Sequence, residues 1–345
     1  MQQLRSGVVR RAVLAYGAVL FLGSLCAGAQ TCTTQARMTA QERNEIGSAA
    51  YTLASAVLAN DAARLRANTV SQFAGNFNQT AYLMRTTSER IAGDSLAVTQ
   101  AYLLDASGKT AGAGSEADFA CPLTGTVSET DFAIPGLPPG RFAFAMVEAA
   151  GPRPWLLAFL LQGENGSWKM AGFYPHERSV AGHDGLWFWT AARADAKANK
   201  PWLAWVQYSE ADNLLRPASF VSSGNLDKLR GEQRTAAPEP LTNGLSAATP
   251  MALQGPGGAV FQVTSLGAQS GDGGRVVDLV MHIEAGQEAA GEAATARNVA
   301  AATALLTAHP ELRDGFANVF VIADASGQAP FVVQRPIRDL AAGAK

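Results

Sequence analysis

Hydrophobic positions follow three different rhythms along this 345-residue chain. The first is an unbroken apolar run, Ala12 to Leu25, with Arg5, Arg10 and Arg11 ahead of it and Ala27-Gly28-Ala29 behind it. The run is shorter than the ~20 apolar residues that a bilayer span needs. It ends in small residues of the kind a signal peptidase reads, so residues 1–29 are taken as a signal peptide cleaved after Ala29. The second rhythm is helical. Thr39 and Glu42 have capping-box spacing, and Ile46, Ala50, Leu53 and Val57 recur on one face behind them. Asn60-Asp61 ends that helix and starts a short one through Leu65. A third helix is expected over Thr80–Ile91, stopped by Gly93. The third rhythm, strand alternation, begins at Ser95. Leu96, Val98, Tyr102 and Leu104 mark one strand, and Arg141–Glu148, Trp155–Gln162 and Trp168–Tyr174 mark three more. Glu164-Asn165-Gly166 joins the last two as a tight hairpin.

Helices followed by a meander, closing on Leu157-Ala158-Phe159-Leu160, Asn165-Gly166-Ser167 and Trp168-Lys169-Met170-Ala171-Gly172-Phe173, resemble the nuclear transport factor two-like (polyketide cyclase-like) superfamily. The resemblance covers roughly Met38 to Pro175. It implies helices against a curved antiparallel sheet around a conical pocket, which some members use for catalysis and many only for binding or dimerisation. A homodimer through the sheet is therefore an expectation. Enzymes of the family place an acid or a histidine inside the cone, and no residue here matches that role by motif. Pro135-Gly136-Leu137-Pro138-Pro139-Gly140 departs from the family pattern, and fold alone does not assign function.

Helical spacing returns at Leu186–Ala198 and Trp202–Leu215, with Asn199-Lys200-Pro201 as the break. All six tryptophans lie between Trp155 and Trp205. Trp202, Trp205, Tyr208, Ala211 and Leu215 share one helix face. Such a stripe either packs this hairpin (residues 181–233) onto the first domain (residues 30–180) or forms an exposed groove. The groove would take a glycan, a peptide or a hydrophobic small molecule on Trp187, Trp189, Trp202, Trp205 and Tyr208. Residues 234–258, rich in Ala, Pro, Thr and Gly, read as a linker. The remaining piece, 259–345, reads as β-β-α-β-β. Val260, Val263 and Leu266 mark its first strand and Arg275–Ile283 its second. A helix over Glu288–Ala308 is stopped by Pro310, and strands follow at Phe316–Ala323 and Phe331–Gln334. The fold class is α+β: N-terminal helices on a curved antiparallel sheet, a helical hairpin, and one helix on a small antiparallel C-terminal sheet.

Charge and cysteine usage narrow the function. Removing the leader takes away three arginines and no acid, moving the formal charge from −2 to −5. Without a concentrated basic face, nucleic acid is excluded as a partner. After cleavage no segment is long and apolar enough for a stable membrane span. Cys26 leaves with the leader. In an oxidising compartment Cys32 and Cys121 most simply form one disulfide, with two free buried thiols as the alternative. Loop closure over so long a separation is worth roughly 4–5 kcal/mol.

Chemistry-bearing residues are sparse. His176-Glu177 and His183-Asp184 flank a loop with Gly182 and Gly185, and imidazoles beside carboxylates can bind zinc or share acid–base work. A metalloprotease helix needs a second histidine four residues after the first, where Val180 stands. No metal site and no cofactor is read from the chain, and His282 and His309 stand alone. A hydrolase nucleophile elbow and a Walker loop are missing. The glycine clusters at 255–258 and 271–274 lack the strand–glycine–helix context of a nucleotide site. The expectation is an exported, non-catalytic ligand- or partner-binding protein, periplasmic or secreted. The alternative is a small-molecule hydrolase or isomerase working through His176, Glu177, His183 and Asp184.

Overall fold

The computed structural model describes residues 30–93, 95–109, 116–122, 129–285 and 290–340. The expected signal peptide and the expected helix start at Glu288 lie outside the described residues. Strand β1 (Thr31–Thr34) is followed by helices α1 (Ala40–Leu58), α2 (Ala62–Ala67), α3 (Ser71–Ala74) and α4 (Asn78–Ser88). The capping box forms: Thr39 Oγ1 accepts from the Glu42 amide at 3.2 Å and Glu42 Oε2 from the Thr39 amide at 3.0 Å. Asn60 takes a positive φ of 51° at the end of α1, and Asp61 caps α2 by accepting from the Arg64 amide. The helix expected to Ile91 ends at Ser88, and Gly93 does not stop it. Gly93 instead passes so close to Ala150 that a Cβ would overlap the Ala150 carbonyl.

Six strands come next: β2 (Ser95–Asp105), β3 (Glu116–Pro122), β4 (Glu129–Pro135), β5 (Arg141–Ala150), β6 (Trp155–Glu164) and β7 (Ser167–Glu177). Strands β1-β2-β5-β6-β7 form an antiparallel sheet in that order. Asn165 and Gly166 both take positive φ in the β6–β7 turn, as a two-residue hairpin of this hand requires. Alternation divides the side chains between two cores. Leu103, Ala145, Leu157, Phe159 and Phe173 face α1 and its neighbours, packing on Ile46, Leu53 and Val57. Tyr102, Leu104, Phe142, Phe144 and Leu160 face the other way, onto Phe119, Phe132 and Ile134 of the β3–β4 hairpin. That hairpin escaped the sequence reading because its inward positions include small residues, Ala117 and Cys121, which blur the alternation. The disulfide Cys32–Cys121 joins β1 of the large sheet to β3 of the small one.

The loop carrying His183 is itself a minimal hairpin, β8 (Ser179–Val180) and β9 (His183–Asp184), turning at Ala181 and Gly182 with positive φ at both. Beyond it lie α5 (Gly185–Lys197), α6 (Pro201–Leu215), β10 (Val221–Ser223) and α7 (Gly224–Ala236). Strand β10 pairs with β4, so the small sheet has the order β10-β4-β3. Three residues are too few to carry a periodic signal, which hid this connection between the helical segment and the first domain.

The last unit holds β11 (Met251–Gln254), β12 (Val260–Gly271), β13 (Val276–Glu284), α8 (Glu292–Ala308), β14 (Asn318–Asp324), β15 (Phe331–Pro336) and α9 (Ile337–Leu340). Its sheet runs β11-β12-β13-β14-β15. Three details of the sequence reading are corrected here. The span read as linker contains a sheet-edge strand, Met251–Gln254, with Leu241 and Leu253 buried. The sheet is mixed, because β13 and β14 are parallel and α8 is the crossover that parallel neighbours need. The helical hairpin joins the core of this C-terminal sheet and not those of the first domain. Trp202, Leu203, Val206 and Tyr208 share one core with Leu279, Met281, Leu305 and Val319.

Candidate functional site

The face of the large sheet turned away from α1–α4 carries a cavity of about 290 Å³, at the lower end of the range for small-molecule pockets. Its floor is Tyr102, Phe144 and Met146 from β2 and β5, and β4 contributes Thr130 and Phe132. Strand β10 and the start of α7 close one side with Val221 and Leu226, while Leu186 and Trp189 of α5 close the other. Period-2 alternation puts the floor residues on this face, since their strand neighbours Leu103 and Ala145 point to the helices. Edge-on contacts link the floor: Tyr102 to Phe132 at 5.1 Å and Phe132 to Phe144 at 5.4 Å. Tyr102 Oη and Thr130 Oγ1, 3.1 Å apart, form a polar point in an otherwise apolar wall.

Trp189 is fixed from behind. Its Nε1 donates to Glu232 Oε2 at 2.7 Å, and the Arg193 guanidinium lies 4.4 Å from the ring centroid. Arg193 Nε and Nη2 also donate to the two oxygens of Glu232, at 2.7 and 2.8 Å. These bonds, Arg193 foremost, hold the Glu232 carboxyl below the usual carboxylate range. A bidentate pair of this kind adds geometric definition as well as energy, so α5 and α7 present the indole in one orientation.

The other aromatic candidates lie elsewhere. Trp202 is buried and stacks on His309 at 3.7 Å, and burial lowers the His309 imidazole from its ordinary value. Tyr208 is buried in the same core, and Trp205 packs against its edge. Trp202 meets the C-terminal unit through His309, Tyr208 lies beside Arg193 of α5 and Glu232 of α7, and none of the three lines the cavity. Trp187 remains 44% exposed, its indole stacked on the His183 ring at 3.7 Å.

The four histidine-loop candidates are dispersed. Asp184 Oδ1 accepts from the Trp187 amide at 2.8 Å as the N-cap of α5. Glu177 pairs with Arg90 at 2.5 Å. His176 has its Nε2 fully enclosed without a partner, and burial, with the Arg178 charge second, lowers its imidazole to about 4. His183 alone of the four lines a second hollow, of about 400 Å³, together with Trp187, Phe188, Gln207 and Glu210. Burial, reinforced by the charge of Glu177, pushes the Glu210 carboxyl up to about 7. The sequence reading missed Gln207 and Glu210 because they lie opposite the aromatic stripe of α6, where polar residues ordinarily signal solvent.

Among the described residues, no three His, Cys, Asp or Glu side chains are grouped to hold a metal ion, and no helix is long and apolar enough to cross a membrane. No known family, curated protein or solved structure matches the chain.

Proposed function

We propose that this is an exported binding protein that holds a small, mostly apolar ligand in the cavity between the large sheet, the β3–β4 hairpin and α5. The observation that carries the reading is the locked indole of Trp189 facing Phe132 and Phe144 across an apolar cavity. A preformed apolar wall with one or two polar points is the usual character of a small-molecule site. The cavity is about ten waters in size, which suits a ligand of about ten heavy atoms whose polar end reaches Tyr102 and Thr130. The disulfide supports passage through an oxidising compartment, and a periplasmic or secreted location follows from the leader-like residues 1–29. The nuclear transport factor two-like resemblance would instead place a ligand between helices and sheet. There Ile46, Leu53, Phe159 and Phe173 pack together, so the proposal rests on the cavity and not on the resemblance.

The test uses protein starting at Gln30 and follows tryptophan fluorescence during titration with indole, p-cresol and octanoate. A saturable change with at least one of them is expected. Leu186 is 58% exposed at the cavity wall and sits in the first turn of α5, where an acid is tolerated. Leu186→Asp is therefore expected to keep the unfolding midpoint and weaken binding about tenfold, the ~1.4 kcal/mol cost of a charge beside an apolar ligand. Equal affinity in the variant, or no saturable change with any of the three, would discard the proposal.

A further inference from the structure

Helix α6 is buried on nearly every side, yet it carries three polar or charged residues into the interior: Gln207, Glu210 and Asp212. Asp212 is neutralised by two arginines, Arg216 at 2.9 Å and Arg230 at 3.1 Å. Glu210 is not. Its carboxyl accepts a hydrogen bond from the neutral Asn213 side chain. Among the described residues no cation forms an ion pair with it, although the residue is only 5% exposed. Gln207, 8% exposed, precedes Glu210 by three positions and so shares its helix face. The Gln207 Oε1 atom is enclosed and has no donor. Both side chains line the hollow of about 400 Å³, whose apolar wall comes from Trp187, Phe188 and Phe316. A buried acceptor without a donor is costly, and a buried carboxylate without a counter-charge is costlier still. Trp187 and Arg275 line the hollow and are exposed, so it reaches solvent.

We infer that this hollow is a second ligand site, distinct from the cavity at Trp189, and that it takes a primary ammonium group on an apolar body. The ammonium supplies the counter-charge that Glu210 lacks, while the aromatic wall covers the apolar part and attracts the cation. A carboxylate ligand would face Glu210 with like charge. A neutral alcohol would leave the carboxylate without its counter-charge. The other charged residues lining the hollow are already engaged: Arg275 with Asp272 at 2.6 Å and Asp314 with Lys200 at 2.9 Å. His183 is stacked on Trp187, and Glu177, whose charge reaches Glu210, is held by Arg90. Binding therefore favours the ionised form of Glu210 and releases a proton where that group is still protonated, so affinity rises with pH across the range in which Glu210 titrates, about 7.

The experiment is titration calorimetry of the full mature chain with methylammonium, n-butylammonium and tryptamine, with n-butanol and butyrate as controls, at pH 6, 7 and 8. Saturable binding of at least one amine is expected, at least tenfold tighter than n-butanol. Repeating the pH 6 titration in buffers of different ionisation enthalpy is expected to count about one released proton at most. Glu210→Gln keeps the side-chain shape and is expected to lose at least tenfold in affinity along with the proton release. Trp187→Ala, at an exposed position, is expected to weaken binding with an unchanged unfolding midpoint. Amine binding that survives Glu210→Gln, equal binding of n-butanol, or no binding by any of the three amines would overturn the inference. Because indole and octanoate carry no ammonium, failure here leaves the fluorescence test of the Trp189 cavity standing, and the reverse also holds.

Discussion

His176 and Glu210 are both taken out of water by the fold, and each shifts toward its neutral form. Their effects on stability run in opposite directions. Between about 4 and 6.5 the unfolded chain holds more protons on His176 than the folded one, so this group makes stability rise with pH. Between 4.5 and about 7 the folded chain holds more protons on Glu210, so that group makes stability fall as pH rises. The two slopes overlap and largely offset each other. Glu210→Gln removes one of them. Its stability relative to the native protein is expected to climb between pH 5 and 7, by at most about 3 kcal/mol, since a tenfold change in proton affinity is worth about 1.4 kcal/mol. Urea midpoints of the two proteins at pH 5, 6 and 7 measure this, and parallel curves would show that Glu210 titrates normally. His176→Asn is expected to tilt the other way.

At the level of elements, the β3–β4 hairpin is attached to the rest by three devices: packing on Phe142 and Phe144, pairing with β10, and the disulfide to β1. The Cys32–Cys121 bridge spans 89 residues, and for a loop that long chain entropy predicts a large contribution to stability. Cys32→Ala with Cys121→Ala is expected to lose about 2–5 kcal/mol in guanidinium unfolding, and reduction of the native protein should match it. A double variant as stable as the oxidised parent would show that packing and β10 suffice. Elements with strong local chemistry were legible beforehand. The Thr39–Glu42 capping box and the Asn165-Gly166 turn are decided by contacts within four residues, so their short-range code is complete. Strands β3 and β10 were not legible, because the small sheet closes only when Val221 of β10 meets Phe132 of β4 from far along the chain.

For the whole molecule, the boundary at 234–258 promises an independent C-terminal unit that the packing denies. Leu279, Met281 and Val319 of the C-terminal sheet lie in one core with Leu203 and Val206 of α6, and β11 comes from inside the supposed linker. Cutting before residue 259 removes an edge strand and uncovers one side of the sheet. The fragment 259–345 is therefore expected to show no cooperative thermal transition by circular dichroism and to bind a hydrophobic dye. A sharp two-state melt from that fragment would restore the autonomous-domain reading. Interdependence also explains where the two cavities lie. The Trp189 cavity needs the large sheet, β10 and α5 together, and the Glu210 hollow needs α5, α6 and the C-terminal sheet.

The amino-acid order alone determined the features with a local physical cause: the α+β class, the start of α1, the β6–β7 turn, and the two helices around the tryptophans, since caps, turn residues and periodicity act over a few positions. Cysteine count and compartment logic reached the disulfide as well. Tertiary structure decided what is exposed and what is enclosed. The stripe of Trp202, Trp205 and Tyr208 looked the same on paper whether it met solvent, the first domain or the C-terminal sheet. Gln207 and Glu210 looked like an ordinary wet face until a β-sheet and a second helix closed over them. Burial is a property of the partners a residue meets, and those partners lie far away in the chain.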